Sequence, residues 1–325
     1  MSRLLNCSLD ETNHSDIWSP RVVLALGLPQ MIINVVSVIF NCAVIVTIVF
    51  SKQLTHPVFI LFCNLAISDL LVSLSGFWIS LQFITDPDST IFGSWKVLFA
   101  YVAYTTSVLS TIYNLVGIGI ERYLTVSGVR RRNCGISRKE ILCAAVIIWA
   151  VAILFGSLPL FGWDCLKEDS NVSTLYRPFC IDYLLFISVP NCVMAFVFPL
   201  ITYIGIILKI RKQKMCMQAH GQLNGTYTAA EMQVAKTCIF IWILALISYA
   251  PLFGGVIWDV TNASCPEDLR KNVFVFRNLS ATLITLNSIG NPIIYTLKFK
   301  NLGNSLMFCK CQSSNQISAQ TIPNI

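Results

Sequence analysis

Seven long apolar runs, each of a length that crosses a lipid bilayer as a helix, dominate this sequence. A hydrocarbon core of about 30 Å needs roughly 20 mostly apolar residues per helix, and lipid offers no partner for backbone N–H groups, so such runs form helices or closed barrels. None of them alternates residue by residue as a barrel strand does. We therefore predict an all-α fold, a bundle of seven transmembrane helices. The runs occupy residues 22–50, 57–85, 94–126, 141–161, 183–210, 234–259 and 272–297.

The charge content supports this interpretation, because only 12% of the residues are charged, whereas a soluble protein carries about 25%. That deficit excludes a disordered, coiled-coil or nucleic-acid-binding chain. We divide the chain into an N-terminal tail at residues 1–21, a membrane domain of seven helices at 22–297, and a short amphipathic cytoplasmic helix with a tail at 298–325. The N-terminal tail lacks the apolar core of a cleaved signal peptide.

Positive charge determines the predicted orientation, because Lys and Arg concentrate in loops on the cytoplasmic side. Most of the 23 Lys and Arg residues fall in the loops that are cytoplasmic if the N-terminus is extracellular. We therefore predict a multi-pass plasma-membrane protein with an extracellular N-terminus, and we interpret the net charge of +7 as an orientation signal rather than a nucleic-acid footprint. Asn-X-Ser/Thr triplets on the outer side predict glycosylation at Asn6, Asn13, Asn171 and Asn262.

Cysteines outside the helices predict two kinds of covalent feature. Cys165 and Cys180 lie in the same outer loop, in an oxidising compartment, and we predict that they form a disulfide. Cys7 and Cys265 are the remaining outer pair and are predicted as a second disulfide. Two cysteines after the seventh helix are predicted palmitoylation sites, namely Cys309 and Cys311.

Asp69 is an acidic residue deep inside the second predicted helix, where ionisable groups are costly and are commonly functional. Either neighbouring hydroxyls satisfy its carboxylate, or it holds a small cation or a proton in a hydrated cavity. We favour an allosteric sodium ion and predict no other metal and no cofactor. The polar residues expected at matching depth are Ser107, Thr111, Asn287, Ser288 and Asn291.

A charged triplet, Glu121-Arg122-Tyr123, stands at the inner end of the third predicted helix. Arg122 cannot lose its charge, and it has two candidate partners, the adjacent Glu121 and Glu231 at the start of the sixth helix. An arginine that exchanges between two carboxylates gives a two-state latch, while the simpler interpretation is a basic residue at the membrane interface. Because proline removes a backbone hydrogen bond and bends a helix, kinks are predicted at Pro251 and Pro292.

The sequence offers little for catalysis. Its three histidines, His14, His56 and His220, are all predicted outside the helices, so neither a buried triad nor a metal cluster is expected. Transporters show two related halves with paired broken helices, and a pore needs a ring of like side chains, and we find neither pattern. The sequence therefore does not favour an enzyme, a transporter or a channel.

Several short motifs stand in order along the runs: Asn41, the Leu-Ala-Ile-Ser-Asp segment at 65–69, the triplet at 121–123, Trp149, Pro251 and the Asn-Pro-Ile-Ile-Tyr segment at 291–295. Together they resemble the rhodopsin-like (class A) G-protein-coupled receptors across nearly the whole chain. The segments at 158–165, 250–253 and 286–288 are in turn similar to one branch of that family. This branch contains the lysophospholipid (sphingosine 1-phosphate and lysophosphatidic acid) and cannabinoid receptors.

The resemblance implies a receptor that couples an extracellular, lipid-like ligand to a heterotrimeric G protein, with arrestin as a further partner. The sixth helix would swing outward at its inner end as Arg122 leaves Glu231, and the cleft that opens would be lined by Arg122, Tyr203 and Tyr295. The family positions also imply a ligand cavity in the outer half of the bundle. Its expected lining residues are Tyr101, Tyr104, Thr105, Val108, Tyr249, Phe253, Val256, Arg277 and Ala281.

Departures from the family pattern leave the ligand and the basal activity open. The lipid-phosphate receptors carry a cation near the top of the third helix, where this chain has Ala100 and Tyr101. Tyr249 and Ala245 replace the usual tryptophan and phenylalanine of the sixth helix. The alternative function is therefore a constitutively active or ligandless receptor, or a partner subunit of the same fold. The cations that remain for an anionic head group are Arg277, Lys96 and Arg177.

Overall fold

The structure is a computed structural model that describes residues 19–50, 57–127, 136–166, 172–173, 175–219, 226–261 and 271–298. Seven long helices lie in these ranges, one for each predicted apolar run, and the all-α bundle is thereby confirmed. They are α1 (Pro20–Phe50), α2 (Pro57–Thr85), α3 (Trp95–Ser127), α4 (Arg138–Gly156), α5 (Val189–Ala219), α6 (Thr226–Thr261) and α7 (Lys271–Lys298).

The boundaries differ from the predicted ones mainly on the outer side. The fourth helix was expected to reach residue 161, but α4 ends at Gly156 and a 3₁₀ turn follows at Leu158–Phe161, because Pro159 has no N–H with which to continue an α-helix. A helical turn at Ile181–Tyr183 and a π-helical turn at Leu184–Ser188 precede α5.

A short outer helix at Pro87–Phe92 was not predicted. Its sequence carries the usual start signals, because the Asp86 side chain accepts a hydrogen bond from the Ser89 amide at 3.0 Å and Pro87 occupies the first turn. The amphipathic helix predicted after α7 falls in residues 299–325, outside the described part of the chain.

The outer surface of the bundle is apolar, and its interior combines a hydrophobic core with many buried polar residues. On α1, Ile32 and Ile39 face outward. The inward face of the same helix carries Gln30, Asn34, Ser37 and Asn41. Among the described residues, five helices are long and apolar enough by themselves to cross a membrane. The other two long helices, α3 and α7, owe their lower apolarity in part to polar residues that they bury at the centre of the bundle.

Two helices at the centre position the functional residues. α2 packs against α1, α3 and α7, while α3 packs against α2, α4, α5 and α6. Asn64 on α2 ties three helices together, because its Nδ2 donates to Asn114 Oδ1 on α3 at 2.7 Å and its Oδ1 accepts from Trp149 Nε1 on α4 at 2.9 Å. Nearer the outer end, a Cβ on Gly156 would lie 2.8 Å from Thr106 Cα, so the close approach of α3 and α4 there requires glycine.

Candidate functional site

A cavity opens in the outer half of the bundle, between α1, α2, α3, α5, α6, α7 and the loop before α5. Its walls are mainly apolar and aromatic, which is typical of sites for apolar small molecules. Eight of the nine residues predicted to line a ligand cavity do line it. They are Tyr101, Tyr104, Thr105, Val108, Phe253, Val256, Arg277 and Ala281.

Tyr249 is the exception and corrects the prediction. Its side chain is buried in the hydrophobic core, close to Asn287 and within electrostatic range of Asp69. The position in α6 therefore faces the middle of the bundle rather than the ligand cavity.

Other lining residues were missed in the sequence, among them Gln30 on α1 and Tyr176 and Phe179 in the loop. Gln30 had a detectable signal, since it is an amide inside an apolar run. Phe179 adjoins a cysteine that was predicted to be bridged, which would have placed it near the top of the bundle. Nothing local distinguishes Tyr176 from any other aromatic residue in a loop.

Arg277 on α7 is the charged residue of the cavity wall. Its side chain is only 8% exposed, and its guanidinium carbon lies 5.0 Å from the centroid of the Tyr101 ring. Its Nη2 donates to the Arg177 backbone oxygen at 3.5 Å. No carboxylate of the described residues forms an ion pair with it. A buried guanidinium with five N–H groups thus faces the cavity without an anion.

The other two cations predicted for a head group are placed differently. Lys96 is exposed at the outer end of α3 and does not line the cavity. Arg177 is half-buried, and the contact it makes with Arg277 uses its backbone oxygen. Arg277 is therefore the cation of this set that a bound molecule would meet inside the cavity.

The outer loop forms a lid that is closed by a disulfide between Cys165 and Cys180, the pair predicted from the sequence. Their Cα atoms are 5.2 Å apart. The Cys165 amide donates to the Pro178 oxygen at 3.1 Å, and the Ser173 amide donates to the Phe179 oxygen at 3.0 Å. These bonds fold the chain back on itself above the cavity.

The lid is fastened to the outer end of α6 by Asp259, which is fully buried. The Ser173 hydroxyl donates to Asp259 Oδ2, and the Leu175 amide donates to the same oxygen at 3.4 Å. The Ser173 hydroxyl oxygen in turn accepts a hydrogen bond from the Tyr176 amide at 2.9 Å. A carboxylate on α6 therefore organises the lid segment that covers the cavity.

Tyr176 makes the second attachment, because its hydroxyl donates to the Leu252 oxygen on α6 at 3.3 Å. Burial raises the pKa of the Tyr176 phenol above its usual range, so it remains a neutral donor. A Cβ on Gly255 would lie 2.6 Å from this hydroxyl and 2.8 Å from the Phe276 ring. Glycine at 255 therefore makes room for the lid.

Asp69 lies at the centre of the bundle and is completely buried. Its carboxylate accepts hydrogen bonds from Thr111 at 3.2 Å, from Ser288 at 3.1 Å and from Asn291 at 2.7 Å. The Oδ1 of Asn291 is also buried and has no hydrogen-bond partner among the described residues. The arrangement gathers one carboxylate and several neutral oxygens from α2, α3 and α7.

Two residues predicted for the same site are not bonded to Asp69. The Ser107 hydroxyl donates to the Ala103 oxygen of its own helix at 2.8 Å. Asn287 is buried, and its amide makes no hydrogen bond that meets normal geometry within the described part of the chain.

At the inner end of α3, Arg122 and Glu121 form a buried ion pair, and Thr125 donates to the same carboxylate at 3.2 Å. Tyr203 is buried with its ring centroid 6.0 Å from that of Trp242 on α6. Tyr123 is 38% exposed on the outside of the bundle. Pro251 and Pro292 lie inside α6 and α7, as predicted.

Several predictions concern groups that the structure does not describe. The side chains of Glu231 and Tyr295 are among them. The contact of Arg122 with Glu231 and the place of Tyr295 in the inner cleft therefore stay predictions. The same holds for the remaining covalent features, at Asn6, Asn13, Asn171, Asn262, Cys7, Cys265, Cys309 and Cys311.

Comparison with known proteins agrees with this architecture. The family model described as "7 transmembrane receptor (rhodopsin family)" matches residues 40–295. The chain is 27% identical over 306 residues to lysophosphatidic acid receptor 1-A of Xenopus laevis, covering 93% of this chain and 79% of that protein. It is 26% identical over 303 residues to lysophosphatidic acid receptor 1 of Homo sapiens, covering 93% and 79%. The crystal structure of squid rhodopsin superposes with a TM-score of 0.74 at 18% identity, covering 90% of this chain and 86% of that one.

Proposed function

The chain belongs to the rhodopsin family of seven-transmembrane receptors, which are not enzymes, and we propose that it binds an extracellular anionic lipid and activates a heterotrimeric G protein. The receptor spans the membrane several times. We place it in the plasma membrane with an extracellular N-terminus, and we expect arrestin as a further partner.

The observation that carries the ligand class is the buried guanidinium of Arg277. Burying a charge without a partner costs several kcal/mol, and an anionic group in the cavity removes that cost. Tyr104 lines the same cavity, and its hydroxyl is buried without a hydrogen-bond partner among the described residues. Relatives named as lysophosphatidic acid receptors favour the same chemistry.

The rest of the cavity suits a hydrocarbon chain. Below Arg277 its wall consists largely of apolar side chains, and burying a CH₂ group contributes about 0.8 kcal/mol. A lipid with one charged end and one long chain satisfies both parts of the cavity. The apolar lining residues include Val108, Leu109, Ile112, Cys192 and Ile284.

Signalling follows from differential affinity for two states of the bundle. Phe253 and Val256 lie in the cavity wall just after Pro251, the position at which α6 lacks one backbone hydrogen bond. A ligand that prefers a rotated α6 stabilises an outward movement of its inner end. Arg122 then separates from Glu231 and becomes available to the G protein. The G protein would bind in the cleft that Arg122 lines together with Tyr203 and Tyr295.

The cluster around Asp69 fits an allosteric sodium ion. The ion prefers oxygen ligands, and the cluster offers the Asp69 carboxylate, the hydroxyls of Thr111 and Ser288 and the buried Asn291 Oδ1, an oxygen that otherwise lacks a partner. A bound ion would stabilise one arrangement of α2, α3 and α7. Asp69 would supply the compensating charge.

The test is Arg277→Ala in cells that express the full chain with several G-protein reporters, challenged with a panel of lysophospholipids. A hydrogen bond to a charged group contributes about 1.5–3 kcal/mol, so potency should fall about 10- to 100-fold for anionic lipids. Arg277→Lys should recover part of the loss. Lys96→Ala removes an exposed cation near the same end of the bundle and should leave potency unchanged.

Equal potency of every active lipid on wild type and Arg277→Ala, at equal surface expression, would refute the ligand assignment. Strong signalling in delipidated medium that no lipid alters would instead favour a constitutively active receptor.

A further inference from the structure

A small side chamber opens from the ligand cavity towards α1 and α2, and we call it the polar annex. The residues that line both spaces are Gln30, Ile79, Tyr101, Arg277 and Asn278. Ser80, Phe83 and Thr90 line the annex but not the cavity. The annex therefore adjoins the cavity at Arg277 and reaches α2 and the short outer helix.

Gln30 is the unusual residue of the annex. Its side chain is 5% exposed, on a helix that faces lipid on its other side. Its amide makes no hydrogen bond to another residue in the described ranges. An amide offers two donors and an acceptor. These groups are therefore available to a molecule in the annex.

The two hydroxyls of the annex can accept hydrogen bonds. The Ser80 hydroxyl donates to the Gly76 oxygen at 2.8 Å, and the Thr90 hydroxyl donates to the Asp86 oxygen at 3.1 Å. Each hydroxyl therefore donates its hydrogen to a nearby backbone oxygen, and its oxygen keeps lone pairs that can accept a hydrogen bond. A ligand hydroxyl can both donate to such oxygens and accept from the Gln30 amide, so the annex matches an uncharged hydroxyl-bearing group.

The charge of the site distinguishes between two kinds of phosphate group that a lipid could carry. Arg277 is the one charged residue that lines the cavity or the annex in the part of the chain that the structure describes. A phosphate monoester carries about −1.5 to −2 charges at pH 7, whereas a phosphodiester carries one. A single guanidinium neutralises the diester and leaves a monoester with excess negative charge in an apolar site.

We propose, building on the function proposed above, that the ligand is a lysophospholipid of the phosphodiester class whose phosphate carries a small neutral hydroxylated group, with the phosphate at Arg277 and the hydroxyls in the polar annex. Glycerol is such a group. The acyl chain occupies the apolar cavity. Gln30 is the residue that recognises the head group beyond the phosphate.

The experiment compares three lipids with the same acyl chain on the full receptor. Lysophosphatidylglycerol is a diester with hydroxyls, lysophosphatidylmethanol is a diester without hydroxyls on the head group, and lysophosphatidic acid is a monoester. On wild type we expect lysophosphatidylglycerol to be about 10-fold more potent than either of the others. A neutral hydrogen bond from the head group contributes about a factor of ten relative to lysophosphatidylmethanol, and the excess negative charge of the monoester weakens lysophosphatidic acid.

Gln30→Leu should lower the potency of lysophosphatidylglycerol about 10-fold and leave that of lysophosphatidylmethanol unchanged. Gln82→Leu is the matched control, because Gln82 lines neither space. If Gln30→Leu fails to reach the cell surface, Thr90→Val removes an annex hydroxyl instead and should cause a smaller loss with the same selectivity.

Three results would overturn the proposal: lysophosphatidic acid as the most potent of the three, equal loss for all lipids in Gln30→Leu, or no loss for any. Inactivity of all three lipids would also overturn it. These outcomes differ from failure of the proposed function, which requires that Arg277→Ala leave every active lipid unaffected. A loss of potency in Arg277→Ala with no change in Gln30→Leu would therefore reject the annex and retain the anionic ligand.

Discussion

Replacing Asp259 with alanine should loosen the lid over the cavity without unfolding the bundle. Asp259 Oδ2 accepts from both the Ser173 hydroxyl and the Leu175 amide, partners 86 and 84 residues away in sequence. Alanine removes both acceptor sites. The disulfide and the Tyr176–Leu252 bond stay in place, so the effect should be confined to local opening of the lid.

The size of the effect follows from the two bonds. A hydrogen bond to a charged group is worth about 1.5–3 kcal/mol, and water replaces part of each loss once the segment opens. A net change of about 2 kcal/mol raises the opening equilibrium about 30-fold. Asp259→Asn can keep an oxygen in place of Oδ2, but it loses the charge and replaces Oδ1 with an NH₂ group. Since charge-assisted bonds are about twice as strong as neutral ones, about 1 kcal/mol and a roughly 5-fold change are expected there.

Hydrogen exchange of the purified receptor, followed in peptides that cover residues 172–180, measures this opening directly. The exchange rates should increase in the order wild type, Asp259→Asn, Asp259→Ala. Asp182→Ala, which removes an exposed carboxylate near the same loop, should match wild type. Unchanged exchange in Asp259→Ala, or equal exchange in the alanine and asparagine variants, would refute the assignment of Asp259 as the attachment point.

Two further perturbations test other parts of the site. Asp69→Asn should abolish the effect of sodium on agonist affinity while preserving surface expression, and an undiminished sodium effect in radioligand binding would reject the ion site. Gly255→Ala should lower agonist potency several-fold, because the added Cβ would lie 2.6 Å from the Tyr176 hydroxyl and displace the lid. Gly254→Ala is its control, since a Cβ there meets nothing within 4 Å, and equal potency of the two variants would argue against a lid that depends on this space.

Much of the ligand cavity was predictable because the positions shared with the family place side chains at known depths. To predict residues such as Tyr104 and Val256, it was enough to assign them to the correct helix and to the correct depth in the membrane. Tyr249 shows the limit of this reasoning. It occupies a familiar position in α6, but its side chain packs in the core, since the rotation of a helix about its axis is set by its neighbours rather than by its own sequence.

The lid and the annex were not predictable in the same way. Asp259 is one acidic residue at the end of an apolar run, and its partners come from a loop whose path has no repeating pattern. Gln30 is visible in the sequence as an isolated amide, but its significance depends on the Arg277 guanidinium, which has no anionic partner among the described residues and lies on a helix distant in sequence. Both features arise from contacts between segments that have no local signal in common.

The amino-acid sequence alone determined the number of helices, their place in the chain and the membrane-spanning fold, because lipid leaves the backbone of a long apolar run one way to satisfy its hydrogen bonds. Short motifs on those helices were enough to indicate the receptor family. Only the tertiary structure decided which polar groups meet and which remain without a partner, because hydrogen bonds and charge pairs act over a few ångströms between residues that the chain itself separates. The cavity with one buried cation, the lid held by a carboxylate and the side chamber beside them are consequences of that packing.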